Sequence, residues 1–299
     1  MTGRPILRSS VAALCLLLVC CGGTLIHQRR SDFSDIRVLE SGAYRYLQFG
    51  ASRVVETLMD LREPHRLQHP YSRVAMLGFL YAPQTRRCLL IGLGGGAMVR
   101  FINHHFPQVR LDVVEIDPAV VAVAREFFGT GEGAQTRIVV ADGFEYLERS
   151  SQTYDLILVD AHLDPDKRTD ASGHPLTLQS EAFFASIQRR LEPGGVVMFN
   201  SLAGAESRRY VAGIRSAFGA VDLFEPPGSG NVIAFASPRT LPGERELRER
   251  AAALDRRGDF GFSFDRLLEN RRRAPEPAAA RNRDHAGRAL VAHSQHAPA

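Results

Sequence analysis

The sequence predicts an α/β protein: a doubly wound, mainly parallel sheet of seven strands, preceded by a small antiparallel β domain. Three observations predict it. After Pro83, short apolar runs alternate with stretches of helical spacing, the signature of βαβ units. The run "YDLILVD" is apolar almost throughout, as a strand buried on both faces must be. Upstream, residues 36–58 hold three β-type runs, "IRVLES", "YRYLQF" and "SRVVETL", broken by Gly42 and Gly50.

The elements follow in order. Residues 70–81, "PYSRVAMLGFLY", read as one helix with Pro in its first turn. "CLLIG" is the first strand of the large sheet, and residues 98–105 have helical spacing. "LDVVEID" is a strand and residues 118–128 a helix, again opened by Pro. "RIVVAD" is a strand, followed by a short helix from Phe144, and "YDLILVD" is the next strand. Residues 180–191 form a helix ended by "EPGG", with "VVMFNS" as the fifth strand and residues 206–218 as a further helix. "AVDLFE" and "NVIAFAS" complete the sheet. The short "PPGSG" between them fits an antiparallel pair rather than a crossover. A charged helical run extends to about Arg257, and the Arg-, Ala- and Pro-rich stretch from Arg271 reads as a disordered tail. The domains are residues 1–30 (leader), 31–82 (β domain with linking helix), 83–240 (α/β domain) and 241–299 (charged helix and tail).

Composition narrows the function. The chain has 299 residues, 44% hydrophobic and 23% charged, ordinary for a protein with a real core. The net charge of +4 is mild and much of the excess sits in the tail, so it is no nucleic-acid footprint. Three of the four cysteines lie before residue 22, and Cys88 stands alone in an apolar strand as a small buried hydrophobe. No disulfide framework or Cys-based zinc site can be built from them. Arg4 and Arg8 precede an apolar stretch of residues 11–26, long for a signal core and short for a spanning helix. "LVCCGG" is similar to a bacterial lipoprotein box with Cys21 as the lipidated residue, although Cys20 stands where a small residue is usual. Arg29 and Arg30 follow, so charge does not set an orientation. The leader is a signal or lipoprotein-like segment or an N-terminal anchor, and the protein is membrane-associated on a side the sequence leaves open. A misplaced start codon would make it cytoplasmic.

The glycine cluster "GLGGGA", residues 92–97, follows a strand and opens a helix, and formally fits G-x-G-x-x-A. Glu115 ends the next strand, about 20 residues on, where a carboxylate accepts from ribose hydroxyls. On that much a dinucleotide site is allowed. Asp142, after the third strand, can accept from an adenine amino group while Gly143 leaves room for the ring. Asp160 and Asp164 in "VDAHLD" sit at the rim of the crevice where open α/β sheets hold ligands. A pyrophosphate would want positive charge; this crevice offers Glu115, Asp142, Asp160 and Asp164, which suit a cationic sulfonium or an amine.

Taken in order, "YRYLQF", "PYSRVAM", "LLIGLGGG", "VVEIDPAVVAVAREFF", "VADGFEYL", "YDLILVDA" and "LEPGGVVMFN" resemble the spermidine synthase (polyamine aminopropyltransferase) family, over residues 36–237. The chain is most similar to its divergent bacterial spermidine-synthase-like branch. The resemblance implies a methyltransferase-like Rossmann domain and a homodimer. It implies Gly92, Gly94 and Gly96 at the nucleoside loop, Glu115 at the ribose and Asp142 with Gly143 at the adenine. It puts Asp160 in the catalytic position and Gln48, Tyr71 and Asp164 near the substrates. It implies decarboxylated S-adenosylmethionine, or S-adenosylmethionine, as donor substrate, with no metal. Three departures stand out. Gly95 replaces the family's acid in GGGDGG, "DAHLDP" is one residue longer than the usual "DSTDP", and Ser72-Arg73 puts a cation where a polyamine would lie.

Aminopropyl transfer is an in-line attack by an amine on a carbon beside an already activated sulfonium. An alkylamine with a pKa near 10.4 is mostly protonated, so a carboxylate that accepts its proton is the central requirement, and Asp160 is the candidate. His162, two residues on, is a candidate substrate contact, and His174 lies in a lid-like loop. His104 and His105 read as a helix surface rather than as metal ligands. Two other functions fit the same residues. One is an S-adenosylmethionine-dependent methyltransferase, favoured by Gly95. The other is a non-catalytic nucleoside-binding module at the membrane, favoured by the leader.

Overall fold

A computed structural model describes residues 23–50, 54–163 and 165–273. Its large sheet contains β5 (Arg87–Ile91), β6 (Arg110–Glu115), β7 (Thr136–Val140), β8 (Tyr154–Val159), β9 (Leu191–Leu202), β10 (Ala220–Phe224), β11 (Asn231–Ser237) and β12 (Arg271–Arg273). Across the sheet the order is β12-β10-β11-β9-β8-β5-β6-β7. The strands β5 to β9 pair in parallel, and β11, β10 and β12 add antiparallel at one side. The helices that connect them include α3 (Ala97–His105), α4 (Pro118–Phe128), α5 (Gly143–Arg149), α6 (Glu181–Arg190) and α7 (Ala205–Phe218).

Among the described residues this sheet has eight strands where the sequence reading expects seven. The extra one, β12, lies at the start of the stretch read as a tail. A buried ion pair decides its place. The Arg271 guanidinium and the Asp222 carboxylate are each 4% exposed, and Arg271 Nε donates to Asp222 Oδ2 at 2.8 Å. Tyr81 Oη donates to the same oxygen at 2.8 Å. A buried charge needs such partners, and composition alone does not reveal them. The rest of the tail lies outside the described residues.

The small sheet is β1 (Thr24–Arg30), β2 (Asp35–Ser41), β3 (Tyr44–Phe49) and β4 (Val55–Asp60), antiparallel in sequence order. It begins at Thr24, seven residues inside the stretch assigned to the leader, because β1 pairs with β2 from Thr24↔Glu40 to Arg30↔Asp35. Residues 1–22, with the signal and lipoprotein features, lie outside the described residues. Among the described residues no helix is long and apolar enough to cross a membrane. Ile36, Val38, Leu47, Phe49 and Met59 of the small sheet pack against Ala119, Val120, Val123 and Phe128. Each large side chain buried there contributes about 1.5–3 kcal/mol. Two further clusters cover the two faces of the large sheet.

The helix expected over residues 70–81 is two pieces, α1 (Pro70–Ala75) and α2 (Gly78–Tyr81). A continuous apolar pattern conceals the break. Gly78 packs so close to β8 that a Cβ would stand 2.8 Å from Leu156 Cδ1. The charged run beyond Thr240 is α8 (Glu244–Asp255), followed by the short α9 (Phe264–Leu268), which the sequence reading does not contain.

Candidate active site

A cleft of about 800 Å³ opens at the carboxyl ends of β5 and β8. From β5 the chain runs on to β6 at one side, while β8 and β9 extend the sheet at the other, so this is the switch point where open α/β sheets bind ligands. Its walls come from the ends of the large sheet, from β4 and α1, and from the loop of residues 161–178.

On one side stand the glycine loop, the strand-end carboxylate of Glu115 and the helix-capping carboxylate of Asp142. Gly92 has φ +96°, and a Cβ there would lie 2.1 Å from the carbonyl oxygen of Asp160. Only glycine allows β5 to leave the sheet so close to the end of β8. Gly94 lines the cleft at φ +52°. Gly96 is not among the lining residues; it precedes α3 at φ +75°, and a Cβ would collide with Thr130 at 2.2 Å. Packing of the loop against Thr130 by itself requires glycine there. Glu115 Oε2 accepts from Leu93 N at 2.8 Å and Oε1 from Asp117 N at 3.0 Å. Burial raises its pKa, opposed by these amide donors. Asp142 caps α5 by accepting from Phe144 N and Glu145 N at 2.8 and 3.1 Å through Oδ1. Gly143 lines the cleft, but its missing side chain is demanded first by Ile91, whose Cγ2 would be 2.6 Å from a Cβ.

Across the cleft, Asp160 sits at the floor. Its backbone N donates to Ile91 O at 2.8 Å, tying β8 to β5. Oδ1 accepts from Asn200 Nδ2 at 2.6 Å, and Asn200 Oδ1 accepts from Asn231 Nδ2 at 2.9 Å. Oδ2 faces Tyr71 Oη at a long 3.4 Å. Burial raises the Asp160 pKa, with the His162 charge and the Asn200 and Tyr71 hydrogen bonds opposing it. Burial lowers that of His162. Tyr71 is pushed well up by burial and then by the Asp160 and Glu56 charges. Tyr71, His69, His162 and Glu56 all line the cleft.

The loop beyond Asp160 is organised by Asp170. Its Oδ1 accepts from Ser172 N and Oγ and from His174 N, and its Oδ2 accepts from Gln179 Nε2. His174 lies beneath that loop, 1% exposed, against the rings of Tyr210 and His162 at 4.4 and 5.5 Å between centroids. Burial drives its pKa down to about 3. Arg168 crosses from this loop to stack over Phe33 at 5.2 Å, beside Ser34, which lines the cleft.

Several sequence expectations change in position. Gln48 is buried within β3 and is not among the lining residues. Asp164 lies outside the described residues. Arg73, expected as a cation in the acceptor region, turns away and donates to Leu67 O at 2.8 Å and Gln68 O at 3.4 Å. The crevice is not purely acidic, since Lys167 and Arg168 stand with Glu56, Glu115, Asp117, Asp142 and Asp160 around it. Gly95 packs on Thr57 and Phe128, with Cβ positions 2.8 and 3.1 Å from their nearest carbons, and its N donates to Thr57 Oγ1 at 2.9 Å. An acid at 95 therefore has no room here. Sequence reasoning missed Asn200, Asn231 and Glu56. The signal for Asn200 was available: it is the polar end of the apolar run "VVMFN", at the carboxyl end of a central strand.

The match to known proteins follows the same residues. The model of the spermine/spermidine synthase domain matches residues 69–220, from the start of α1 to the start of β10. The polyamine aminopropyltransferase of Vibrio vulnificus (strain CMCP6) is 32% identical over 259 residues, 81% of this chain and 83% of its own length. The chain belongs to the spermine/spermidine synthase family. Within the family, the polyamine aminopropyltransferase of Chromobacterium violaceum is 35% identical over 253 residues, 82% of this chain and 92% of its own. A spermidine synthase solved with the transition-state analogue AdoDATO shares the fold, with a TM-score of 0.67 at 18% identity, over 83% of this chain and 84% of that one.

Proposed function

We propose that this family member moves an aminopropyl group from decarboxylated S-adenosylmethionine to a polyamine-type amine, with Asp160 as the proton acceptor. The observation that carries the reading is the Asp160 carboxylate. Asn200 holds one of its oxygens at 2.6 Å, while the other faces the cleft beside Tyr71.

The glycine loop at Gly92 and Gly94, Glu115 and Asp142 with Gly143 hold the nucleoside. The amine nitrogen attacks the carbon next to the sulfonium, the carbon–sulfur bond breaks and sulfur leaves as a neutral thioether. The nitrogen sheds a proton to Asp160 Oδ2 as the new bond forms. Burial makes Asp160 a better proton acceptor than an exposed carboxylate, because its pKa lies closer to that of the amine. Asn200 is a positioning residue, and Tyr71 flanks the path. Glu56 supplies the second carboxylate for an extended cationic acceptor, across the cleft from the loop in which the sequence placed Asp164 near the substrates. The sulfonium is already activated, so the reaction asks for no metal. The remaining acceleration comes from holding donor and acceptor in line.

Purified full-length chain should bind methylthioadenosine by calorimetry and release it from decarboxylated S-adenosylmethionine when a diamine is present. Asp160→Asn should lower kcat by about 10³-fold and leave methylthioadenosine affinity within twofold. Methyl transfer from S-adenosylmethionine, with no aminopropyl transfer, would instead establish the methyltransferase alternative. Binding with neither transfer would establish the non-catalytic module.

The leader in this reading gives membrane association, and the chain works as a homodimer, each unit joining the small sheet from Thr24 to an α/β domain that runs on through β12. The mass of the mature N-terminus and sedimentation of the purified protein test those two points.

A further inference from the structure

Three histidines meet far along the chain from Asp160. His104 and His105 are the last residues of α3, and His65 lies in the connection from β4 to α1. The His65 and His104 rings stack at 3.9 Å between centroids, and the His104 and His105 rings meet edge-on at 4.7 Å. His65 and His105 are 5.7 Å apart by the same measure. One ring nitrogen from each lies within 4.8 Å of the others. Nε2 of His105 is shielded from water and has no hydrogen-bond partner. Such a nitrogen costs free energy unless something accepts its lone pair or its proton.

The surroundings select the kind of ligand. Glu63 and Asp259 are already engaged by Arg66, at 2.8 and 2.7 Å, and Arg257 caps His105 O at 2.7 Å. The formal charges of these four neighbours cancel. The free donors are therefore imidazoles, which suit zinc, nickel or copper and not magnesium or calcium. Tetrahedral zinc with bonds of about 2.0–2.1 Å wants its nitrogens about 3.4 Å apart, within reach of small ring rotations from 4.8 Å. Three ligands leave a fourth position for water.

We propose that His65, His104 and His105 bind a borderline divalent cation, Zn²⁺ or Ni²⁺, and so clip the β4–α1 connection to the end of α3. That connection leads into His69 and Tyr71, and α3 starts at the glycine loop. The clip joins the supports of the two sides of the cleft outside the cleft itself. Arg100 Nε, which donates to Pro64 O at 2.7 Å, already ties the same two segments.

The experiment uses metal-stripped full-length chain, titrated with ZnCl₂ by calorimetry and melted with and without Zn²⁺. To separate this site from adventitious zinc on other histidines, the comparison is with His65→Ala and His104→Ala. His105→Phe serves in place of an alanine, because His105 packs on Phe101 and Phe260 at 4.5 and 4.7 Å. All three variants should lose the same single equivalent of zinc, at least tenfold in affinity, together with the zinc-dependent rise in Tm. The metal-free Tm of His104→Ala should match that of the parent. Zinc stoichiometry and thermal shift unchanged in both His65→Ala and His104→Ala would overturn the site. An equal thermal shift with MgCl₂ would do so as well.

Discussion

The two sides of the cleft are built differently. On the side proposed to hold the nucleoside, Gly92, Glu115 and Asp142 are each fixed by backbone: a carbonyl at 2.1 Å from a virtual Cβ, two amides on Glu115, two amides on Asp142. On the acceptor side, Asp160 is held by the side chains of Asn200 and Tyr71, brought from β9 and α1. Beyond it lie ring nitrogens of His162 and His174 and the Tyr210 hydroxyl, shielded from water and without partners. A backbone-built cradle tolerates little change, whereas a side-chain-built pocket can be retuned one residue at a time. In the proposed function, one side therefore keeps the nucleoside geometry while the other is free to set which amine is accepted.

The most severe way to break this contrast is Gly92→Ala. The φ of +96° and the overlap with Asp160 O leave no relief by side-chain rotation. We expect a loss of about 3 kcal/mol or more in urea unfolding, and methylthioadenosine binding abolished. A variant as stable as the parent would show that the β5–β8 contact is loose.

Next is acid stability. His174 is buried neutral, with its pKa driven from 6.5 to about 3, so the unfolded chain binds its proton first as pH falls. Its stabilising contribution is present above pH 6.5 and is lost progressively below it. Between pH 7 and pH 5 this one group should cost about 2 kcal/mol. His174→Phe, which keeps a ring against Tyr210, should flatten the urea-midpoint profile over that interval. An unchanged slope would assign the acid sensitivity to the half-buried His162 and His69, whose pKa values burial also lowers.

The smallest effect expected is at Glu56. Glu56→Gln should raise KM for a diamine about tenfold, roughly 1.4 kcal/mol, with methylthioadenosine affinity unchanged. A loss of nucleoside affinity instead would move Glu56 to the donor side and blur the contrast.

The difference in construction also explains what could be read in advance. Strand and helix alternation from Cys88 to Ser237 needed only local periodicity, and α4 and β11 fall on the expected residues. Glu115 and Asp142 were legible because the first ends β6, the second caps α5 just after β7, and each serves nearby backbone. Asn231 and Glu56 were not, because their meaning depends on strands and helices far away in sequence, and Asn200, marked only as a polar strand end, has its partner Asp160 on another strand. Gly96 and Gly143 were read as ligand positions, but steric overlap with Thr130 and Ile91 already requires glycine there.

By itself the sequence determined the α/β rhythm, the glycine turn after β5, and a row of acids at the carboxyl ends of the strands. These are local consequences of side-chain period and φ preference. Tertiary structure alone decided the rest. It recruited β12 through the buried Arg271–Asp222 pair and turned Arg73 onto loop carbonyls. It also set Asn200 against Asp160 and gathered His65 with His104 and His105. Buried charges and polar groups take their partners from whatever the fold brings within hydrogen-bond reach, and that proximity is not written in any single stretch of chain.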